Sequence, residues 1–315
     1  MAVKMEYDEQ TEMWFAQETP FASEVKDYWG GDWGVASEVG NLKAVLLRRP
    51  EAEIDNMADA ARWRWKELMD PEVARSHHDA MAEAYRQHGA KVYYVEEMHT
   101  DRPNALFMRD NMFMTPEGAI LARQAIAARR GEEMYVAKAL AELGVPIVRT
   151  ISGHGVFEGA CALWINRETV VLGTGNRSNK EGAQQVMETL GYMGVKHFVP
   201  FPIPFGHAHV DGLMAMIDHD LAMIFPWQTP HDVWRALRDR GIQVLEAPSV
   251  DEVKEHASVN FVTLAPRKVV IAKGSPRTCE LLDRHGVEIV EVDISEIHKG
   301  WGSMHCMTAP LKRED

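Results

Sequence analysis

Cysteine is scarce in this chain of 315 residues: three occur, at positions 161, 279 and 306, and none forms a Cys-x-x-Cys pair. This spacing argues against a disulfide framework and against a cysteine-based zinc site. Long apolar runs are also missing. No stretch approaches the run of about 18 uncharged apolar residues that a membrane span needs. The first residues, MAVKMEYDEQ, are acidic where a secretory signal is basic and then apolar. The sequence therefore predicts a cytoplasmic protein with no membrane partner.

Basic residues are too few for a nucleic-acid surface. The chain has 34 Lys and Arg against 47 Asp and Glu, which gives a formal net charge of −13. Proteins that bind nucleic acid cluster Lys and Arg against the phosphate backbone instead. An acidic chain attracts small cations over a distance, although salt screens that attraction. We therefore expect a small cationic partner and no nucleic acid.

A strand-strand-helix-strand pattern recurs about every 50 residues along the chain. In each unit a short turn separates two β-branched, Met-rich strands, as hairpins require, and a helical stretch precedes a third strand. Such a period is typical of a repeat architecture. Four complete units are predicted, with their hairpins in the stretches 111–123, 162–174, 212–226 and 260–273. Their helices are predicted at 132–143, 179–190, 231–240 and 277–285.

The remaining unit lacks its first strand. It begins with a strand at 43–47, continues through a long helical region at 55–88 and ends with a strand at 91–95. Asp70-Pro71 splits the helical region, since Asp can cap a helix and Pro fits its first turn. A spare strand is predicted at 304–311, so the two ends of the chain would complete this unit together. The pattern predicts an α/β fold, a five-bladed propeller of ββαβ units with pseudo-fivefold symmetry.

The first 36 residues are predicted to form an arm that precedes a single catalytic domain of residues 37–315. The arm is acidic and rich in large aromatic side chains, namely Trp14, Phe15, Phe21, Tyr28, Trp29 and Trp33. Such aromatic density is unusual for a disordered tail. The arm could pack on any of three surfaces: the entrance of the site, a neighbouring subunit of a homo-oligomer, or its own ring.

Polar residues with distinctive chemistry stand at or just before the first strand of each unit. They lie about 50 residues apart and comprise Asp110, Glu158, His209 with Asp211, Asn260 and Cys306. Equivalent positions of a ring of similar units converge on its axis. These side chains are therefore predicted to line one pocket.

A thiol in such a pocket suggests covalent catalysis by Cys306, because a thiolate is a strong nucleophile that forms near neutral pH beside a cation or base. Asp110, Asp211 and Glu158 can bind a planar guanidinium through paired, charge-assisted hydrogen bonds. His209 can protonate the leaving amine and then activate water. These residues predict a cysteine-dependent enzyme that attacks the carbon of a guanidino or amidine compound, with no cofactor and no metal.

The motifs that carry these residues resemble those of the pentein superfamily, the guanidino-modifying enzymes that include arginine deiminases, amidinotransferases and dimethylarginine hydrolases. In family order over residues 37–311 they are SEVGNLKAVLLRRP, FMRDNMF, GHGVFEGA, LGTGNRSN, HVDGLMAMID and MHCMTAPL. The resemblance implies a five-bladed pentein α/β-propeller with Cys306 as nucleophile and His209 as acid and base. It also implies proton transfer by Glu158 and guanidinium binding by Asp110 and Asp211.

Further substrate contacts are predicted outside this set. Arg177 stands where the family often has an arginine that reads a substrate carboxylate, Arg109 belongs to FMRDNMF, and Asn260 belongs to the repeat positions. Two positions depart from arginine deiminases: Cys161 replaces a second acid, and Trp301 replaces an arginine five residues before the nucleophile. These departures weaken the case for a free α-amino acid, and Trp301 could instead stack on a substrate cation or aromatic group.

HVDGLMAMID and MHCMTAPL resemble deiminase motifs more than transferase motifs, which favours a cysteine-dependent hydrolase. Three alternatives to the hydrolase stay open. An amidinotransferase shares the first half-reaction and passes the amidino group from Cys306 to an amine. His207-x-His209-x-Asp211 also resembles a metal pair of metal-dependent amidohydrolases, although those barrels carry it near the N-terminus. The third alternative is a non-catalytic ring that serves as a binding module.

Overall fold

The computed structural model of the protein describes residues 19–315, and five three-stranded sheets organise this part of the chain. The strands are β1 (Asn41–Leu47), β2 (Lys91–Tyr94), β3 (Met112–Thr115), β4 (Gly118–Leu121), β5 (Ile147–Thr150), β6 (Ala162–Asn166), β7 (Thr169–Thr174), β8 (His197–Pro202), β9 (Met214–Asp218), β10 (Leu221–Ile224), β11 (Gln243–Glu246), β12 (Val262–Ala265), β13 (Lys268–Ala272), β14 (Glu288–Val292) and β15 (Ala309–Glu314). The helices are α1 (Phe21–Trp29), α2 (Ala52–Asp55), α3 (Pro71–Gln87), α4 (Glu132–Glu142), α5 (Lys180–Tyr192), α6 (His231–Arg238), α7 (Val250–His256), α8 (Pro276–Arg284) and α9 (Met304–Met307).

All five sheets share one pairing pattern: an antiparallel pair of strands followed by a parallel third strand, as in β3-β4-β5 and β6-β7-β8. A helix connects the second strand of each sheet to the third, because parallel neighbours need a crossover connection. The predicted repeat of strand, strand, helix and strand is confirmed in this arrangement. The predicted helices at 132–143, 179–190, 231–240 and 277–285 correspond to α4, α5, α6 and α8.

The two ends of the described chain meet in one sheet, of order β15-β1-β2. β15 runs antiparallel to β1, with Asn41 opposite Glu314 and Val45 opposite Pro310. The prediction that the C-terminal strand completes the N-terminal unit is therefore confirmed. Its bounds were wrong, because residues 304–307 form the short helix α9 and the strand begins at Ala309.

The helical prediction for residues 55–88 was half right. α3 begins at Pro71, where the Asp70 side chain accepts hydrogen bonds from the N–H groups of Glu72 and Val73. Before that cap the chain forms only α2 and a 3-10 turn at Ala61–Trp63. Arg64 then takes a left-handed φ of 62°, which ends any helix. Contacts distant in sequence outweigh helix propensity here, since Trp65 Nε1 donates to Asn104 Oδ1 at 2.6 Å.

Hydrogen bonds between side chains and main chain connect neighbouring sheets. Trp164 Nε1 on β6 donates to the Met114 carbonyl on β3 at 3.0 Å, and Thr263 Oγ1 on β12 donates to the Met216 carbonyl on β9 at 2.6 Å. Arg313 on β15 donates to the Thr263 carbonyl at 2.7 Å. Each of these bonds joins two successive units or the last unit to the one built from both chain ends.

Burial decreases from the first strand of a sheet to the third. All residues of β3 and β4 are buried, whereas β5 is half-buried or exposed along its length. A strand that is covered on both faces has a continuous apolar run rather than an alternating one, as Met112–Thr115 shows. The polar residues that precede the first strands therefore lie in the interior of the molecule.

The described part of the predicted arm packs on the chain's own sheets. Gly34 donates its N–H to the Leu311 carbonyl and accepts from the Arg313 N–H, at 3.0 and 3.1 Å. Trp33 stands edge-on to Tyr93 with ring centroids 5.7 Å apart. Trp14 and Phe15 lie outside the described residues. The division between arm and domain at residue 36 stays a prediction, as does a homo-oligomer.

None of the helices within residues 19–315 has both the length and the apolar character that a bilayer crossing needs.

Stability is expected to depend on pH through His78. This side chain on α3 is fully buried, and neither ring nitrogen has a hydrogen-bond partner within residues 19–315. Burial lowers the pKa of His78 from 6.5 to about 3. The folded state therefore binds its proton only near pH 3, whereas the unfolded chain binds it near pH 6.5, so stability is lost as pH falls between these values.

We expect His78→Leu to lose less stability than the parent protein between pH 7.5 and pH 5. Urea unfolding at both pH values measures the difference. His197→Leu is the control, because the imidazole of His197 is exposed. An equal pH dependence in the parent and His78→Leu would contradict the assignment.

Candidate active site

Asn260 holds the turn that carries Cys306. Its Oδ1 accepts from the backbone N–H groups of His305 and Cys306 at 3.1 and 3.2 Å, and its Nδ2 donates to the Asp211 carbonyl at 3.0 Å. The buried amide thus joins the strand entries of three units. Asn260 was predicted to contact the substrate, but the structure directs its polar atoms to protein groups.

Cys306 and Asp211 lie side by side. The Cys306 Sγ is 3.6 Å from Asp211 Oδ2, and His305 Nδ1 donates to the same oxygen at 2.9 Å. Asp211 is buried, while Cys306 is half-buried and reachable from outside. Burial raises the pKa of the Cys306 thiol well above 9, and the carboxylates of Asp211 and Asp110 raise it further. The resting side chain is therefore a thiol and not a thiolate.

His209 lies between two acids, Glu158 and Asp110. Its Nε2 is 2.7 Å from Glu158 Oε2, and its Nδ1 is 3.5 Å from Asp110 Oδ1. Burial alone would lower the pKa of His209, but Asp110 and Glu158 outweigh it and hold the pKa above 6.5. Burial opposes ionisation of Glu158, yet the hydrogen bond from His209 and the charge of Arg177 lower its pKa to about 2. The pair is an imidazolium bonded to a carboxylate.

Asp110 has one satisfied oxygen and one without a partner. Oδ2 accepts from the buried guanidinium of Arg129, which also binds Glu132 Oε2 at 2.7 Å and the Phe107 carbonyl at 3.1 Å. Oδ1 is buried and accepts no hydrogen bond within residues 19–315. Burial raises the pKa of Asp110 although His209 and Arg129 oppose the shift. A buried carboxylate oxygen with no donor is an unusual feature that a ligand N–H group can satisfy.

Arg129 was missed by sequence reasoning. It comes from the loop between β4 and α4, where the stretch RQAIAARRGEE carries two adjacent arginines and two adjacent acids. The one sequence feature that pointed to an ion pair of Arg129 was the acid three residues after it, because this spacing brings side chains together on a helix. Nothing in the sequence indicated that the side chain would reach Asp110.

Cys161 lies close behind Glu158 and is fully buried. Its N–H donates to the Glu158 carbonyl at 2.9 Å, and its Sγ is 4.0 Å from the Ala208 carbonyl. Burial and the surrounding carboxylates raise its pKa well above 9. Cys161 is therefore part of the core, and Cys306 is more accessible than Cys161.

Two predicted substrate contacts, Arg177 and Arg109, have protein partners in this structure. Arg177 Nη1 is 3.2 Å from both carboxylate oxygens of Glu158, so part of its guanidinium is already bound to a protein group. Arg109 is buried, and its Nη2 donates to Glu38 at 2.9 Å and to the Ala162 carbonyl at 3.1 Å. Its burial contradicts a direct substrate contact.

Trp301 is 59 % exposed on the loop that leads to Cys306, and it has a left-handed φ of 68°. The ammonium of Lys66 lies 4.2 Å from its ring centroid. The ring does stack on a cation, but that cation belongs to the protein.

A donor set for a metal ion exists at the same place. Ligand atoms of Asp110, Glu158 and His209 lie within 4.8 Å of one another. Arg129 and Arg177 already neutralise the two carboxylates, which reduces their attraction for a cation. His207, the first histidine of the His-x-His pattern, does not belong to this set. The alternative based on the His207-x-His209 pattern therefore has one of its two histidines in this donor set.

A thiol, a histidine between two acids and the five three-stranded sheets together define the guanidino-modifying enzymes of the pentein superfamily. A profile of the family described as "N,N dimethylarginine dimethylhydrolase, eukaryotic" matches residues 44–313. The match covers most of the chain, and the protein belongs to this family. The predicted resemblance to the superfamily is confirmed.

Individual relatives represent several activities on this fold. The arginine deiminase of Lactococcus lactis is 22% identical over 403 residues, which cover 89% of this chain and 98% of that protein. A structure of the Pseudomonas aeruginosa dimethylarginine dimethylaminohydrolase, a Cys-to-Ser variant with citrulline, has a TM-score of 0.70 at 22% identity and covers 86% of this chain and 100% of that one. An amidinotransferase of saxitoxin biosynthesis from Microseira wollei has a TM-score of 0.74 at 15% identity, with 90% and 98% covered.

The raised pKa of Cys306 predicts slow alkylation of the resting protein. We expect iodoacetamide to modify Cys306 slowly at pH 7 and ever faster as pH rises beyond 9, because only the thiolate reacts. Peptide mapping after timed alkylation measures the rate at each cysteine, with free cysteine as the reference. A plateau of the Cys306 rate below pH 8 would show that the thiolate forms without a ligand.

Proposed function

We propose that this protein is a cysteine-dependent hydrolase of a guanidino compound, and that Cys306, His209 and Glu158 carry out the reaction. The observation that supports this most is the unpartnered, buried Oδ1 of Asp110, which lies beside an imidazolium and near a thiol that shares a hydrogen bond with Asp211. A planar cation with several N–H donors satisfies such an arrangement, because each N–H can donate to a separate carboxylate oxygen.

Binding of the cation would activate the nucleophile. Asp110 and Asp211 raise the pKa of Cys306, and Asp110 Oδ1 has no donor within residues 19–315. A guanidinium between them compensates their charge and adds a positive charge next to Sγ, so the thiol loses its proton more readily. The site would thereby remain unreactive until a substrate of the right charge is bound.

The first half-reaction would form a bond between Sγ and the guanidinium carbon. The proton of the thiol leaves to solvent, and the tetrahedral adduct then expels an amine or ammonia. His209, held in its protonated form by Glu158 and Asp110, gives its proton to the departing nitrogen as the C–N bond breaks. The product of this step is an amidino-cysteine at position 306.

The second half-reaction would return the enzyme to its starting state. His209 is neutral after the first step and takes a proton from water as the water oxygen attacks the amidino carbon. The C–S bond then breaks, a urea-type product leaves and the Cys306 sulfur is reprotonated. Glu158 stabilises the imidazolium that reforms, since its Oε2 lies 2.7 Å from Nε2.

The proposal includes the arrangement of the fold: the five sheets surround one axis as a pentein propeller with pseudo-fivefold symmetry. The hydrogen bonds Trp164 to Met114, Thr263 to Met216 and Arg313 to Thr263 connect neighbouring units, and β15 joins the last unit to β1. In such a ring the segments before the first strands meet at one end of the axis. This arrangement explains why residues about 50 positions apart are within hydrogen-bond distance.

Hydrolysis is favoured over amidino transfer because the chain belongs to a hydrolase family, whereas its likeness to an amidinotransferase concerns the fold. N,N-dimethylarginine is the first substrate to test, since the family is described by it. Trp301 stands in place of an arginine, and the guanidinium of Arg177 is paired with Glu158. Guanidines without a carboxylate therefore belong in the same test.

Three free cysteines fit the proposed cytoplasmic location.

The decisive experiment is a panel of dimethylarginine, arginine and alkylguanidines assayed for amine, ammonia and urea-type products. We expect Cys306→Ala to abolish turnover, and His209→Gln to lower kcat by about 10²- to 10⁴-fold because it removes the acid and base. Asp110→Asn should raise KM about tenfold or more, because an amide cannot compensate a guanidinium. Cys279→Ser is the control, since this half-buried thiol lies on α8.

Undiminished turnover by Cys306→Ala would overturn the covalent mechanism. Turnover that appears only when an acceptor amine is added would identify a transferase. Loss of activity to chelators, with no effect of thiol alkylation, would favour metal catalysis by Asp110, Glu158 and His209.

A further inference from the structure

His305, the residue before the proposed nucleophile, lies between two buried carboxylates. Its Nδ1 donates to Asp211 Oδ2 at 2.9 Å, and its Nε2 is 3.5 Å from Glu38 Oε2. The oxygen that it binds on Asp211 is the one that faces the Cys306 Sγ. The proposed reaction assigns no role to either His305 or Glu38.

Both ring nitrogens of His305 lie next to carboxylate oxygens, which can only accept, so both contacts are satisfied only if the imidazole is protonated. Glu38 also accepts from Arg109 at 2.9 Å and from the Trp164 N–H at 3.4 Å. Burial opposes ionisation of both carboxyl groups, yet the pKa of Glu38 and that of Asp211 are lowered by their cationic neighbours. Burial and Arg109 act to lower the pKa of His305, but Asp211 and Glu38 raise it on balance. The result is a buried carboxylate–imidazolium–carboxylate triad.

The chain of contacts stops inside the protein. It ends at Arg109, which is 1 % exposed, and Glu38 has the buried guanidinium of Arg313 as its other charged neighbour. A proton entering at Asp211 would therefore find no route to water beyond Glu38. The cavity beside the triad measures about 10 Å³, which is roughly one water and too little for the ring to turn away. The triad is built to hold a charge in place and not to conduct protons.

We propose that His305 and Glu38 are positioning residues that keep Asp211 ionised and oriented, so that a planar cation can bind beside Cys306. This inference rests on the proposed function, in which Asp211 binds the guanidinium. The imidazolium acts through Asp211 and does not touch the substrate. The charge of His209 also acts on Asp211, and the charge of Asp110 acts on Cys306. Titration of His209 and of Asp110 therefore contributes to the same pH profile.

The test compares two alkylating reagents of the same shape: 2-chloroacetamidine, a planar cation, and the neutral 2-chloroacetamide. Each reacts in one way: the Cys306 sulfur forms a C–S bond, the C–Cl bond breaks, chloride leaves and the thiol proton passes to solvent. Because both reagents alkylate the same sulfur, the ratio of their rates, divided by the ratio for free cysteine, reports how far the site favours the cation, through binding and through ionisation of the thiol. Peptide mapping between pH 5 and pH 9 gives this ratio for Cys306 without any knowledge of the natural substrate.

His305→Asn removes the charge while its amide can still donate to Asp211. We expect the rate ratio to fall about tenfold at pH 7, the effect of losing one charge-assisted hydrogen bond. Asp211 then protonates more easily, so the pH below which the cation preference is lost should move upward. Glu38→Gln should change the alkaline part of the pH profile. Without the Glu38 charge, His305 loses its proton at a lower pH than in the parent, so the preference for the cationic reagent should fall as pH rises.

His78→Asn is the matched control, because it removes a buried imidazole that has no acid partner in the described chain. It should destabilise the protein and leave the rate ratio unchanged. A His305→Asn protein with the parental ratio at every pH, together with a parent that prefers the cation, would overturn this inference and leave the proposed function intact. A parent that shows no preference for the cation would instead refute the guanidinium site, and the role of His305 with it.

Discussion

The structure depends on compensating several carboxylates that are buried together. Asp110, Glu158, Asp211 and Glu38 are all buried, and a buried carboxylate is stable only when donors or cations replace its lost water. The fold supplies these from distant parts of the chain: Arg129, Arg177, His209, His305 and Arg109. The compensation is incomplete at Asp110 Oδ1 and beside the thiol. The proposed substrate is the cation that would complete it.

The architecture makes such a concentration of charge possible. Each unit buries its first two strands and leaves the third near the surface, so the segment before the first strand enters the interior. The ends of the chain are joined in one sheet by β15 and β1, which brings Cys306 to the same place as groups from the other units. Removing this closure would leave the nucleophile on a terminal segment with no fixed relation to Asp211.

Much of this organisation was predictable because it depends on local patterns. Hairpins, helices and a period of about 50 residues follow from β-branched runs, turn residues and caps such as Asp70, all of which act over a few positions. The proposed site residues Asp110, Glu158, His209, Asp211 and Cys306 could be selected by repeat position alone. Arg129, Glu38 and His305 could not, because the first comes from a loop of no fixed position and the others act through side-chain partners far away in sequence.

The sequence by itself determined the ββαβ repeat, the completion of one unit by both chain ends, and the choice of a thiol, a histidine and acids for chemistry. The tertiary structure alone decided which of these groups are charged and which oxygen is left free. It assigned Arg177 to Glu158, Arg109 to Glu38 and Asn260 to the turn of the nucleophile, which are partners the sequence did not indicate. The reason is physical: residue type sets what a side chain can do, but burial and the neighbouring charges set its protonation state and its partner.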